Sequence, residues 1–162
     1  MTASSAAPRT LDAPDTPFAV LDVHRAMRNI ERLRARADRL GVALRPHVKT
    51  ARSLDVAALL HDGPACPVTV STLAEAEAFA DGGYTDITYA VGIAPHKLPR
   101  ALALLRRGVT ARVLLDSVAQ AMSVADASRR AALPVPAQIV DSSRDTASAP
   151  VVEAFWPRVN GW

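Results

Sequence analysis

The sequence predicts an α/β fold, specifically part of a TIM-type (β/α)8 barrel. Three observations carry this. Short β-like runs alternate with longer helical runs, and strand starts recur every twenty-odd residues, the rhythm of parallel strands joined by helical crossovers. No glycine lies between Phe18 and Met27, so the glycine-rich turn of a dinucleotide-binding doubly wound sheet is missing after the first strand, and there is no P-loop. The chain has 162 residues, too few for a closed barrel, which takes about 250.

The elements follow in order. Residues 1–15 are small, polar and proline-rich without a signal-like apolar stretch, and read as a disordered tail. Residues 18–21 read as a short strand. Asp22 is placed to cap a helix whose Val23, Met27, Ile30, Leu33, Ala37 and Leu40 share one face, with Gly41 at its C-terminus. A strand is expected over 42–48. Ser53 caps a short helix through Leu60 that ends near Gly63. Strands follow at 67–70, 86–91, 110–115 and 136–140. Helices fall between them at 72–80, 95–107 and 117–132, with Pro99 confined to the first turns of its helix and Gly108 ending it. About five of eight barrel strands are thus expected within 16–140. Beyond Asp141 the periodicity is lost, and 141–162 reads as a divergent, irregular tail.

Composition narrows the function classes. Hydrophobic residues make up 49% and charged residues 22%, a globular balance. No apolar run approaches the ~20 residues of a membrane span. Nineteen basic against sixteen acidic residues leave +3, nearly all of the basic residues being arginine; Lys49 and Lys97 are the only lysines. The basic run from Arg25 to Arg39 reads as a solvated helix face, not a nucleic-acid surface. Cys66 stands alone, so no intrachain disulfide forms and no zinc spacing exists; the reading is a reducing, cytoplasmic protein.

The chemistry concentrates in Leu44-Arg45-Pro46-His47-Val48-Lys49-Thr50. On a strand Arg45, His47 and Lys49 share one face, which in a barrel points inward, and Lys49 sits at the C-terminal end where barrel enzymes place their chemistry. A lysine among other cations in a partly dry site loses its proton more readily, and the neutral amine attacks carbonyls. The spacing equally permits a bland arrangement, with Lys49 in solvent and Arg45 and His47 held by carboxylates of neighbouring strands. Elsewhere Tyr89, Gly92, Ser71 and Thr72 fall at strand ends and read as core or turn residues. His96 and Lys97 read as surface, Asp116 as a helix cap, and Cys66 as a small apolar residue.

Thr16-Pro17, Val20 and Asp22, then Arg28-Asn29-Ile30, then RPHVKT from Arg45 to Thr50, resemble in order and spacing the D-threonine aldolase and D-serine dehydratase family. The segments VTVSTLAEAEAFADGG, DITYAVGIAPHKLPR and VLLDS extend the likeness over roughly 16–140. The resemblance implies an alanine-racemase-like barrel using pyridoxal 5′-phosphate, with Lys49 as the Schiff-base residue and His47 and Arg45 beside it at the cofactor. It implies a lyase, aldolase or dehydratase, for D-3-hydroxy amino acids such as D-threonine or D-serine. An amino-acid racemase of the same fold, or a non-catalytic cofactor-binding fragment, is the alternative. It further implies a small-molecule amino-acid substrate, neither nucleic acid nor membrane as partner, and a homodimer at full length. Family members that use a divalent metal hold it on a C-terminal β-domain, which is missing here with its ligands, and the strand at 18–21 would pair with that domain.

Two departures stand out. The family often continues Lys-Thr-His-Lys, whereas Lys49-Thr50 is followed by Ala51-Arg52, in which Arg52 keeps the positive charge. The family's later Ile-Glu-Ile-Asp-x-Gly-x-x-Arg motif is answered by Gln138-Ile139-Val140-Asp141-Ser142-Ser143-Arg144 and then lost, as a frameshift or a fragmentary gene model would produce. A chain without the later strands is expected to be inactive by itself and not to behave as a compact monomer.

Overall fold

In the computed structural model residues 14–60 and 66–139 are described, with Thr10, Asp12 and Pro64 besides. The expectations for 1–9, His61, Gly63 and the tail beyond Val140 lie outside them. Helix α1 spans Val23–Leu40. Asp22 Oδ1 accepts the Arg25 N–H at 2.9 Å, and Gly41 ends the helix at φ 63, a left-handed position glycine adopts without strain. Helix α2, Leu54–Leu60, starts where the Ser53 hydroxyl accepts the Val56 N–H. Then come β1 (Val68–Val70), α3 (Leu73–Asp81), β2 (Asp86–Gly92), α4 (Leu98–Arg106), β3 (Thr110–Leu115), α5 (Val118–Ala131) and β4 (Ala137–Ile139).

The four strands are parallel and lie in the order β1-β2-β3-β4. Sequential order is what a barrel segment requires, since a doubly wound sheet reverses direction partway. Right-handed crossovers that always step the same way put α3, α4 and α5 on one face. Val68, Val70, Ile87, Tyr89, Val113 and Leu115 point to that face and are buried against Phe79, Leu98, Leu104 and Val124 of the helices. The opposite face carries Thr69, Asp86, Thr88 and Arg112. In register, His47, Thr69, Thr88 and Arg112 form one row across it.

Three expectations are corrected. Residues 42–48 do not form a strand. The Thr69 N–H donates to Pro46 O at 2.9 Å and His47 makes a single parallel bridge to Thr69, but Val48–Thr50 already turns as a 3-10 helix. The neighbouring β1 is three residues long, and Pro46 has no N–H to extend a ladder. Among the described residues the barrel portion therefore has four strands and one bridging position in place of a fifth. Residues 18–21 run without strand pairing and Phe18, Val20 and Leu21 are exposed, because a strand exists only with a ladder partner. Asp116 is not the cap of α5. Ser117 is, its hydroxyl accepting the Gln120 N–H, while the Asp116 N–H donates to Gln120 Oε1.

The basic residues of α1 are mostly exposed, as a solvated face requires, and only Ile30 and Ala37 of its apolar stripe are buried. No described helix is long and apolar enough to cross a membrane.

Candidate active site

The RPHVKT segment reaches the polar face of the sheet at its C-terminal side. Val48 is turned the other way and buried in the helix-covered core, which anchors the segment. Lys49 follows on the 3-10 turn with its side chain exposed, and among the described residues no carboxylate pairs with it.

His47 begins this turn. Its Nδ1 accepts the Lys49 N–H at 3.2 Å, so the neutral ring carries its proton on Nε2, which faces Ser71 Oγ at 3.4 Å. Burial, reinforced by the Lys49 charge and opposed by Glu75, holds the imidazole pKa below its ordinary value.

Arg45 lies deeper. Its Nη1 and Nη2 donate to Asp86 Oδ1 and Oδ2 at 3.0 and 2.8 Å, a bidentate pair, and Arg112 binds the same carboxylate. The Arg45 hydrogen bonds, then those of Arg112, hold the Asp86 carboxyl below the usual range despite partial burial. Of the two arrangements the spacing allowed, the structure has the one with Lys49 exposed to solvent and Arg45 held by a carboxylate of a neighbouring strand, Asp86; His47 faces Ser71 and is biased to its neutral form.

Glu75 opens α3 in a capping box. Thr72 Oγ1 accepts the Glu75 N–H, and Glu75 Oε2 accepts the N–H groups of Ser71 and Thr72 at 2.8 and 3.2 Å. Its other oxygen lies 2.9 Å from Arg52 Nε. Arg52 sits at φ 48, in the left-handed region, and its N–H closes the turn on Val48 O. Asp86, Arg112 and Glu75 are not singled out as site partners by the sequence, whereas Ser71, at a strand end, is a candidate for the pocket mouth that reads as a core or turn residue. For Glu75 the signal was present, since Thr72-x-x-Glu75 is a capping-box pattern. For Asp86 nothing local marked it.

The remaining candidates fall elsewhere. Lys97, expected at the surface, is half-buried and donates to the buried Tyr89 hydroxyl at 3.1 Å. Gly92 is held small because a Cβ there would meet Asp116 Oδ2 at 2.3 Å. Cys66 is partly buried with a free thiol. A groove of about 410 Å³ between α4 and α5, lined by Leu98, Leu102, Ala127 and Arg130, contains none of the predicted site residues. No cluster of three metal-ligating side chains occurs among the described residues.

A sequentially ordered parallel sheet agrees with what comparison shows. The family model for the alanine racemase N-terminal domain matches residues 21–142. The chain belongs to this family. It is 53% identical over 116 residues to D-threo-3-hydroxyaspartate dehydratase of Delftia sp. (strain HT23), covering 72% of this chain and 30% of that protein. It is 31% identical over 117 residues to D-serine dehydratase of Schizosaccharomyces pombe, covering 69% of this chain and 28% of that one. The solved structure of the Delftia sp. HT23 enzyme superposes with a TM-score of 0.79 at 42% identity, over 92% of this chain and 41% of the other. The chain thus spans about 30% of the length of the curated relatives it matches, and its fold is a partial alanine-racemase-type barrel.

Proposed function

We propose that this chain is the N-terminal portion of a pyridoxal-phosphate-dependent lyase acting on D-3-hydroxy amino acids, and that Lys49 holds the cofactor. The observation that carries the reading is the exposed Lys49 amine, without a carboxylate partner among the described residues, beside a His47 biased to neutrality at the C-terminal side of the sheet. The activities for which the relatives are named, dehydration of D-threo-3-hydroxyaspartate and of D-serine, support the substrate class.

The residues present fit the group. An aldehyde cofactor needs a primary amine free of a competing carboxylate, and Lys49 offers one. Pyridoxal phosphate, when bound, supplies an electron sink for the bond broken at the substrate α-carbon. His47 orients the Lys49 backbone through its Nδ1 and adds no second full charge beside the amine. Arg45, locked to Asp86, ties the segment to β2. Lys49, when released, is placed to accept or return a proton.

The test is adduct mapping. Incubation with pyridoxal phosphate followed by borohydride should fix the label on Lys49. Lys49→Ala should abolish the label and Lys97→Ala should retain it, because Lys97 is engaged with Tyr89. Label found on Lys97 alone overturns the assignment.

A further inference from the structure

Around Lys49 the contacts close into a ring. The Lys49 N–H donates to His47 Nδ1, and His47 Nε2 faces Ser71 Oγ. The Ser71 N–H donates to Glu75 Oε2, Glu75 Oε1 lies 2.9 Å from Arg52 Nε as an ion pair whose geometry makes no hydrogen bond, and the Arg52 N–H returns to Val48 O within the turn. Two features exceed what a helix cap needs. The Glu75 side chain is only 11% exposed while Arg52 is 66% exposed, so the carboxylate is kept largely out of water to meet an arginine that reaches in from outside. Arg52 also holds φ 48, a conformation in which a residue with a Cβ persists only when its surroundings impose it.

We infer that Glu75 is a positioning residue for Lys49, acting through two arms: Ser71 and His47 on one side, and Arg52 on the other. The inference rests on the reading of Lys49 as the cofactor-holding residue. It extends that reading to a carboxylate on another element, 26 residues further along the chain. The first arm keeps the His47 proton on Nε2, so that Nδ1 stays free to hold the Lys49 N–H. The second arm pins the far side of the same turn to the start of α3. Lys49 is thereby fixed at both ends of a three-residue turn that has almost no sheet hydrogen bonding of its own. The charges facing His47 are Lys49, which disfavours its protonated form, and Glu75, which favours it.

The experiment uses the 162-residue chain and two variants that separate the arms. Glu75→Gln keeps an oxygen for the Ser71 and Thr72 N–H groups but removes the charge. Arg52→Gly removes the ion pair while glycine suits φ 48. Each should slow borohydride-trappable adduct formation at Lys49 about tenfold, the order expected when a reacting group is misplaced by a fraction of an ångström. The double variant should be little slower than either single one, because both act through one ring. Arg52→Lys should restore most of the rate. Independently, ring 15N shifts should show the His47 pKa falling in Glu75→Gln, with a smaller share of the Nε2–H tautomer.

Parent rates in both variants together with an unchanged His47 overturn the inference. Should Glu75→Gln fail to fold, Arg52→Gly and its lysine rescue decide alone. If the parent itself forms no adduct at Lys49, the proposed function fails. The ring is then judged on His47, where a lowered pKa in Glu75→Gln supports it and an unchanged one overturns it.

Discussion

The two faces of the sheet meet different requirements. On the helix-covered face Val68, Val70, Ile87, Tyr89 and Val113 are nearly inaccessible, packed under α3, α4 and α5. On the other face the same strands present Thr69, Asp86, Thr88 and Arg112, and the RPHVKT segment adds Arg45 and His47. The first face is held by area removed from water, which is non-directional and tolerant of detail. The second is held by a few directed contacts, Arg45–Asp86–Arg112 and the Lys49–Glu75 ring. The difference teaches where stability and directed contacts separate: the apolar face carries the fold, and the polar face carries the proposed site around Lys49.

The largest expected effect breaks the covered face. Ile87→Ala should cost about 3 kcal/mol in urea or thermal unfolding, by lost burial plus a cavity beneath α3. A loss below about 1 kcal/mol would show that this face collapses freely and does not carry the fold.

Next is the polar face. Asp86→Ala should cost about 2 kcal/mol, because two arginines lose their shared carboxylate. Asp86 has a lowered carboxyl pKa in the folded chain, so its contribution is fully present above its ordinary value of 3.8 and is lost as pH falls through the lowered folded value. The parent should therefore lose more stability than Asp86→Ala between about pH 5 and about pH 2. Parallel pH profiles would assign the acid sensitivity elsewhere.

A smaller effect is expected at the C-terminal end of β2. Gly92→Ala places a Cβ 2.3 Å from Asp116 Oδ2 and 3.0 Å from Gln120 Nε2, forcing the exposed Asp116 side chain to move. The cost should be about 1 kcal/mol by thermal melt.

The smallest effect has the opposite sign. Thr88 lies in the row of the polar face and is buried, yet its Oγ1 has no hydrogen-bond partner among the described residues. Thr88→Val removes an unsatisfied hydroxyl at nearly constant shape and should stabilise by about 0.5 kcal/mol. A loss of similar size would show that the hydroxyl is satisfied by solvent on that face.

Much of the fold was legible because its signals are local. Asp22, Ser53, Thr72 and Ser117 each accept an N–H three residues ahead, and Gly41 and Gly108 supply left-handed turns, so the helices could be placed by inspection. The strand at Thr110–Leu115 has the bounds its alternation indicates. Legibility failed at 42–48 and 18–21, where β-like residues lack a neighbour long enough to pair with. Part of the candidate site was legible too, since RPHVKT announces Lys49 by resemblance. The spacing alone put it at the end of a strand where the structure has a 3-10 turn, but it did allow a neighbouring strand's carboxylate to hold Arg45, as Asp86 does.

The sequence by itself determined the alternation of elements, their caps and the segment that bears Lys49, because each depends on residues within a turn of one another. Only the tertiary structure decided that Asp86 neutralises Arg45 and Arg112 from positions 41 and 26 residues away, and that Glu75 reaches both Ser71 and Arg52. It also decided that Lys97 belongs to Tyr89 and that Lys49 has no carboxylate partner among the described residues. The physical reason is register: which side chains meet across a parallel sheet follows from how its strands align, and no spacing within a single strand carries that information.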